Sequence, residues 1–79
     1  MTMFFRLKEL REESNLNQTQ VSKLLNCAQQ TYSDYENHLI EMPIMQWVKL
    51  AEYYKTSVDY LLGLTDERDP YPKSVRNQF

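Results

Sequence analysis

Apolar positions recur at helical spacing in successive stretches of the chain, separated by polar breaks. Met3, Leu7 and Leu10 share one face, while Arg6, Lys8, Glu9, Glu12 and Glu13 lie elsewhere, which predicts a helix from about Phe4 to Ser14. Asn15-Leu16-Asn17 interrupts that pattern; Leu16 is expected to dip into the core and Asn17 to cap the next helix. Val21-Ser22-Lys23-Leu24-Leu25 is a short amphipathic run and places a second helix at about 18–25. Tyr32 and Tyr35, three apart, anchor a third at about 29–36, with Ala28 standing where a Ser or Thr cap would serve better. After a loop at 38–42, Pro43 opens a fourth helix, in which Ile44, Trp47, Val48, Ala51 and Tyr54 recur at steps of three and four. Ser57 caps a short fifth helix over 58–62 that Gly63 stops, and Val58, Leu61 and Leu62 close the core. The expected class is all-α, five helices in one domain over residues 1–65. The remaining 66–79 are charged and proline-broken and read as a flexible or arm-like tail, whose Tyr71, Val75 and Phe79 leave open docking on a partner subunit.

The joint between the second and third helices organises the rest. Two helices so closely joined must cross steeply, as in a helix-turn-helix. Ser22 supplies a small residue at the crossing, and Asn26 a residue tolerant of left-handed φ in the turn. With Tyr32 and Tyr35 facing inward, the outer face of the third helix carries Gln29, Gln30, Ser33, Asp34 and Asn37. Gln offers a donor and an acceptor together and pairs bidentately with adenine, so such a face can read base edges. Asp34 can accept from cytosine N4 or simply repel phosphates. Gln18 and Thr19 fall in the first turn of the second helix, where unpaired N–H groups can meet a phosphate.

Composition narrows the field. Seventy-nine residues make one small domain with little room for a substantial cleft. A single His, a single Cys, no metal-ligand cluster and no glycine-rich phosphate loop argue against an enzyme, a metal or a cofactor, and no small-molecule substrate is evident. No apolar window is long enough to span a membrane, the start is not a secretory signal, and the lone Cys27 fits a reducing cytoplasm. Charge complicates a nucleic-acid reading. Nine Lys+Arg against eleven Asp+Glu leave a net charge of −2, and no Lys or Arg lies between Lys23 and Lys49. Lys23, with Arg6 or Lys8, is what remains to face phosphates; much of the backbone contact would come from neutral Asn17, Gln18 and Asn37.

Residues 6–65 resemble the phage repressor/Cro-like (XRE-type) helix-turn-helix family of bacterial and phage regulators. The resemblance rests on Arg6-Leu7-Lys8-Glu9-Leu10-Arg11, Asn17-Gln18, Val21, Leu25, Tyr35-Glu36-Asn37, Lys49-Leu50-Ala51-Glu52 and Ser57 through Thr65, at the family's spacing throughout. It implies a compact five-helix, lambda-repressor-like domain acting as a homodimer on double-stranded operator DNA. It further implies that Gln18 and Asn37 hold phosphates, that Gln29 and Gln30 open the recognition helix with Ser33 and Asp34 on its groove side, and that Arg11 and Glu36 form an internal ion pair. Ser22, Asn26, Tyr32 and His38 depart from the family's usual Ala, Gly, Ile/Val and Gly, and the loop after His38 lacks its common Lys/Arg. Two readings follow: a sequence-specific DNA-binding transcriptional regulator, or a protein-interaction module on the same fold with a weakened DNA face.

Overall fold

The computed structural model describes residues 5–70. Five helices follow in order: α1 (Leu7–Glu13), α2 (Gln18–Leu24), α3 (Gln29–Glu36), α4 (Ile44–Tyr53) and α5 (Val58–Leu61); no strand occurs among the described residues. None of these helices is long and apolar enough to cross a membrane. One core gathers Leu7 and Leu10 of α1, Val21 of α2, Leu25, Tyr32 and Tyr35 of α3, Met42, Trp47, Leu50 and Ala51 of α4, Tyr54 and Leu61 of α5.

The helix starts follow from their caps. The Asn17 side chain accepts from the Gln20 N–H while the Gln20 side chain accepts from the Asn17 N–H, both at 2.8 Å, a reciprocal capping box. Ser57 caps α5 through the Tyr60 N–H at 3.0 Å. Ala28 gives α3 no side-chain cap, as its methyl requires.

All five helices end the same way. The residue after each C-cap is left-handed: Asn15, Asn26, His38, Lys55 and Gly63, at φ 58°, 55°, 62°, 58° and 79°. The next residue then donates back across the last turn: Leu16 to Arg11, Cys27 to Ser22, Leu39 to Asp34, Thr56 to Ala51 and Leu64 to Asp59, all at 2.8–3.0 Å. This is a Schellman motif repeated five times, and it satisfies carbonyls that each helix end would otherwise leave unpaired. Asn26 thus takes the left-handed turn position expected of it. Ser22 is buried at the crossing, and its hydroxyl donates to the Thr19 carbonyl at 2.7 Å. Gln46 of α4 donates to the Leu25 carbonyl at 3.0 Å and so fixes the turn from the other side.

The structure corrects some sequence expectations. The first helix starts at Leu7 rather than near Phe4, because the Arg6 N–H is drawn to the Leu61 carbonyl at 2.8 Å and Phe5 turns aside. The Phe5 ring stacks on His38 at 4.4 Å and meets Trp47 edge-on at 4.9 Å. Met3 and the arm residues Tyr71, Val75 and Phe79 lie outside the described residues. On α4 the buried stripe is Trp47, Leu50, Ala51 and Tyr54; Ile44, at the helix start, is 63% exposed. Thr56 donates to the Arg68 carbonyl and Arg68 pairs with Glu13 at 3.0 Å, so residues just past Thr65 run back along α1 and the α4–α5 joint.

Candidate nucleic-acid interface

The α3 face is built by subtraction. Tyr32 and Tyr35 bury one side of the helix, their rings edge to face at 6.5 Å, and this turns Gln29, Gln30, Ser33, Asp34 and Asn37 outward. Gln29, Gln30 and Asn37 are exposed; Ser33 and Asp34 are half-buried one turn along. Gln30 Nε2 donates to Asp34 Oδ1 at 2.9 Å, and Asn37 Nδ2 donates weakly to Ser33 Oγ at 3.4 Å.

Glu36, on the inner edge of the same helix, anchors a second set. Arg11 Nε donates to Glu36 Oε2 at 2.7 Å and Arg11 Nη2 to Oε1 at 3.3 Å, while Arg11 Nη1 reaches the Leu16 carbonyl at 3.0 Å. Gln18 Nε2 donates to Glu36 Oε1 at 3.1 Å. Burial pushes the Glu36 carboxyl upward, but the hydrogen bonds from Arg11 and Gln18 outweigh it and hold the group below its usual range. The Tyr32 hydroxyl lies close enough to favour the ionised carboxylate without completing a well-aligned bond. The hydrogen bond to Glu36 in turn raises Arg11 above its ordinary value. Both members are thus charged and paired, and Glu36 presents no net repulsion to a polyanion.

The cations are sparse. Lys8 and Lys23 are exposed. Arg6, expected as a possible phosphate contact, is committed elsewhere: its guanidinium donates to the Tyr60 and Thr65 carbonyls at 2.6 and 2.9 Å, pairs with Asp66 at 2.9 Å and lies over the Tyr60 ring at 4.1 Å. The Asn17 side-chain oxygen is occupied by its cap, leaving its NH₂ end as the donor toward a phosphate.

Three features escaped the sequence. The Gln18–Glu36 bond joins residues 18 apart, and no local pattern announces it. The Gln30–Asp34 bond had a signal, the i,i+4 spacing of an amide and a carboxylate. An open apolar groove of about 510 Å³, lined by Phe5, Tyr35, His38, Ile40, Trp47 and Leu62, also lies beside the end of α3. Leu39 and Ile44, which also line it, and neighbouring Met45 are 63–70% exposed, and the mostly apolar run across 39–45 was its sequence signal. No group of three or more His, Cys, Asp or Glu among the described residues could hold a metal ion.

Comparison with known proteins places this geometry. A family model described as Helix-turn-helix matches residues 7–61. Three Bacillus subtilis proteins are similar. The uncharacterized HTH-type transcriptional regulator YobD is 40% identical over 65 residues, 82% of this chain and 58% of its own length. The HTH-type transcriptional regulator ImmR is 33% identical, over 80% of this chain and 50% of its own. The HTH-type transcriptional regulator AnsR is 30% identical, over 89% of this chain and 60% of its own. The chain therefore spans half to three-fifths of the curated relatives it matches. A crystal structure of a transcriptional regulator from Listeria innocua superposes with a TM-score of 0.77 at 25% identity, covering 99% of this chain and 72% of that one.

Proposed function

This chain belongs to the XRE-type helix-turn-helix family, and from that premise we propose that it is a sequence-specific, double-stranded-DNA-binding transcriptional regulator. The observation that carries the reading is the exposed polar face at the start of α3, set on two buried tyrosines and adjoining α2. In the major groove Gln29, Gln30 and Ser33 face base edges, with Asp34 on the same groove side, while Asn17, Gln18, Lys23 and Asn37 face the backbone. The Arg11–Glu36 pair is structural: it ties α1 to the end of α3. One such helix reads only a few base pairs, so the protein acts in the cytoplasm as a homodimer on two half-sites about 10 base pairs apart.

The test is selection of duplexes from a random pool, followed by single substitutions. Gln29→Ala or Gln30→Ala is expected to cost about 1–3 kcal/mol on the selected duplex and little on random DNA. Gln18→Ala weakens both alike. Equal losses on both duplexes for all three variants would contradict these roles. The apolar groove favours a second reading, a module that binds a protein segment there; failure to select any duplex at low salt would turn the account toward it.

A further inference from the structure

We propose that Asp34 sets the sequence preference of α3 by orienting Gln30, as a positioning residue, with no base of its own. The inference rests on the DNA-binding reading and refines it. A glutamine amide on an open helix face is free to turn over, presenting oxygen or NH₂ to the groove. A carboxylate removes that freedom, because an ionised Asp only accepts. The 2.9 Å bond therefore fixes the Nε2 end of Gln30 toward Asp34. One N–H of the amide is taken by Asp34. Oε1 and the other N–H lie together on one edge and remain available to a base.

The chemistry of the bases gives this orientation meaning. Adenine shows an acceptor, N7, and a donor, N6–H, in the major groove; guanine shows two acceptors, N7 and O6. An amide held with its oxygen on the reading edge matches adenine and sets oxygen against oxygen on guanine. A freely turning amide gives up part of that discrimination, since it can offer NH₂ to guanine. It also loses rotamer freedom on binding, which for a glutamine corresponds to as much as about thirtyfold in affinity. The same contact gives a use to an acid on a face otherwise meant for a polyanion. Glu36 does the equivalent for Gln18 at 3.1 Å, so both glutamines are held at their nitrogen end by a carboxylate.

Substitutions at Asp34 separate orientation from charge. Asp34→Asn can donate as well as accept and lets the Gln30 amide turn over; adenine-over-guanine discrimination at one position of the selected duplex is expected to fall about three- to tenfold. Asp34→Glu keeps an acceptor-only group within reach and restores it. In a Gln30→Ala background, Asp34→Asn changes that ratio no further. Two results overturn the proposal: a uniform gain on every duplex with the ratio intact, which is charge repulsion alone, or a loss at a neighbouring base pair that persists without Gln30, which is direct reading by Asp34. The free protein supplies an independent measurement. The Gln30 side-chain NH₂ resonances are expected to be more ordered in wild type than in Asp34→Asn; equal mobility contradicts the clamp whether or not DNA binds. Failure of the DNA reading shows separately, as no selected duplex, and in that case the claim about preference fails with it.

Discussion

Glu36 keeps a side chain only 3% accessible and still ionised because Arg11 and Gln18 donate to it. The pair adds little net stability over an apolar substitute, but breaking it strands a buried charge, at a cost of about 3–5 kcal/mol. Its pH dependence has a definite sign. The folded carboxyl is held below its ordinary value of 4.5, so its contribution is fully present above that value and is lost as pH falls through the folded one. Urea denaturation is expected to show wild type losing stability as pH drops below 4.5, and Glu36→Gln, less stable at neutral pH, with a flatter profile there. Parallel profiles would contradict the assignment. At this scale the sequence was legible unevenly. Asn17 announces its cap by residue type, and the Arg11–Glu36 pair was visible only through family resemblance. The Arg6 cage of two carbonyls, Asp66 and the Tyr60 ring joins residues more than fifty apart, which no local pattern encodes.

At the scale of elements, the repeated helix ending is the main result. Asn15, Asn26 and Gly63 advertise left-handed positions by type, and His38 by standing where the resembling family usually has glycine; Lys55 carries no such signal, and the helix-ending bond from the Thr56 N–H to the Ala51 carbonyl goes with its conformation. A non-glycine residue there carries about 1–2 kcal/mol of steric cost, against which glycine gives back about 0.5–1 kcal/mol in unfolded-chain entropy. Lys55→Gly is therefore expected to raise stability by about 0.5–1 kcal/mol, read from the urea midpoint; a lowered midpoint would mean Lys55 is not strained. His38→Gly gains less, because it gives up the stack on Phe5. At the opposite end of a helix, Ala28 sits in extended backbone suited to a cap but has no acceptor. Ala28→Ser is expected to add about 1 kcal/mol, and no change would place the α3 start under other control. Helix existence was readable from periodicity, while the start of α1 was not, because a backbone bond to α5 decides it. Ile44 kept the period of α4 yet lies outside the core, since a first-turn residue overhangs the end of the buried stripe.

For the whole molecule, the puzzle is a net charge of −2 on a chain proposed to read DNA. The structure changes the meaning of several charges. Glu36 is neutralised by Arg11, Asp34 holds Gln30, and Arg6 is occupied by the α5 end of the fold. Of the exposed cations among the described residues, Lys8 on α1 and Lys23 on α2 are the two assigned to phosphates in each copy of the proposed dimer. The remaining backbone contacts come from neutral amides, which release no condensed counterions of their own. Such a protein binds modestly, discriminates well and depends weakly on salt. The charge deficit was plain in the sequence; the pairing that resolves it needed the fold. The most direct test is a salt titration of affinity on the selected duplex beside a random one. The account predicts a log–log slope of about −4 for a dimer, with a clear specificity ratio maintained across the range. A slope near about −10, or equal affinity for the two duplexes, would contradict it.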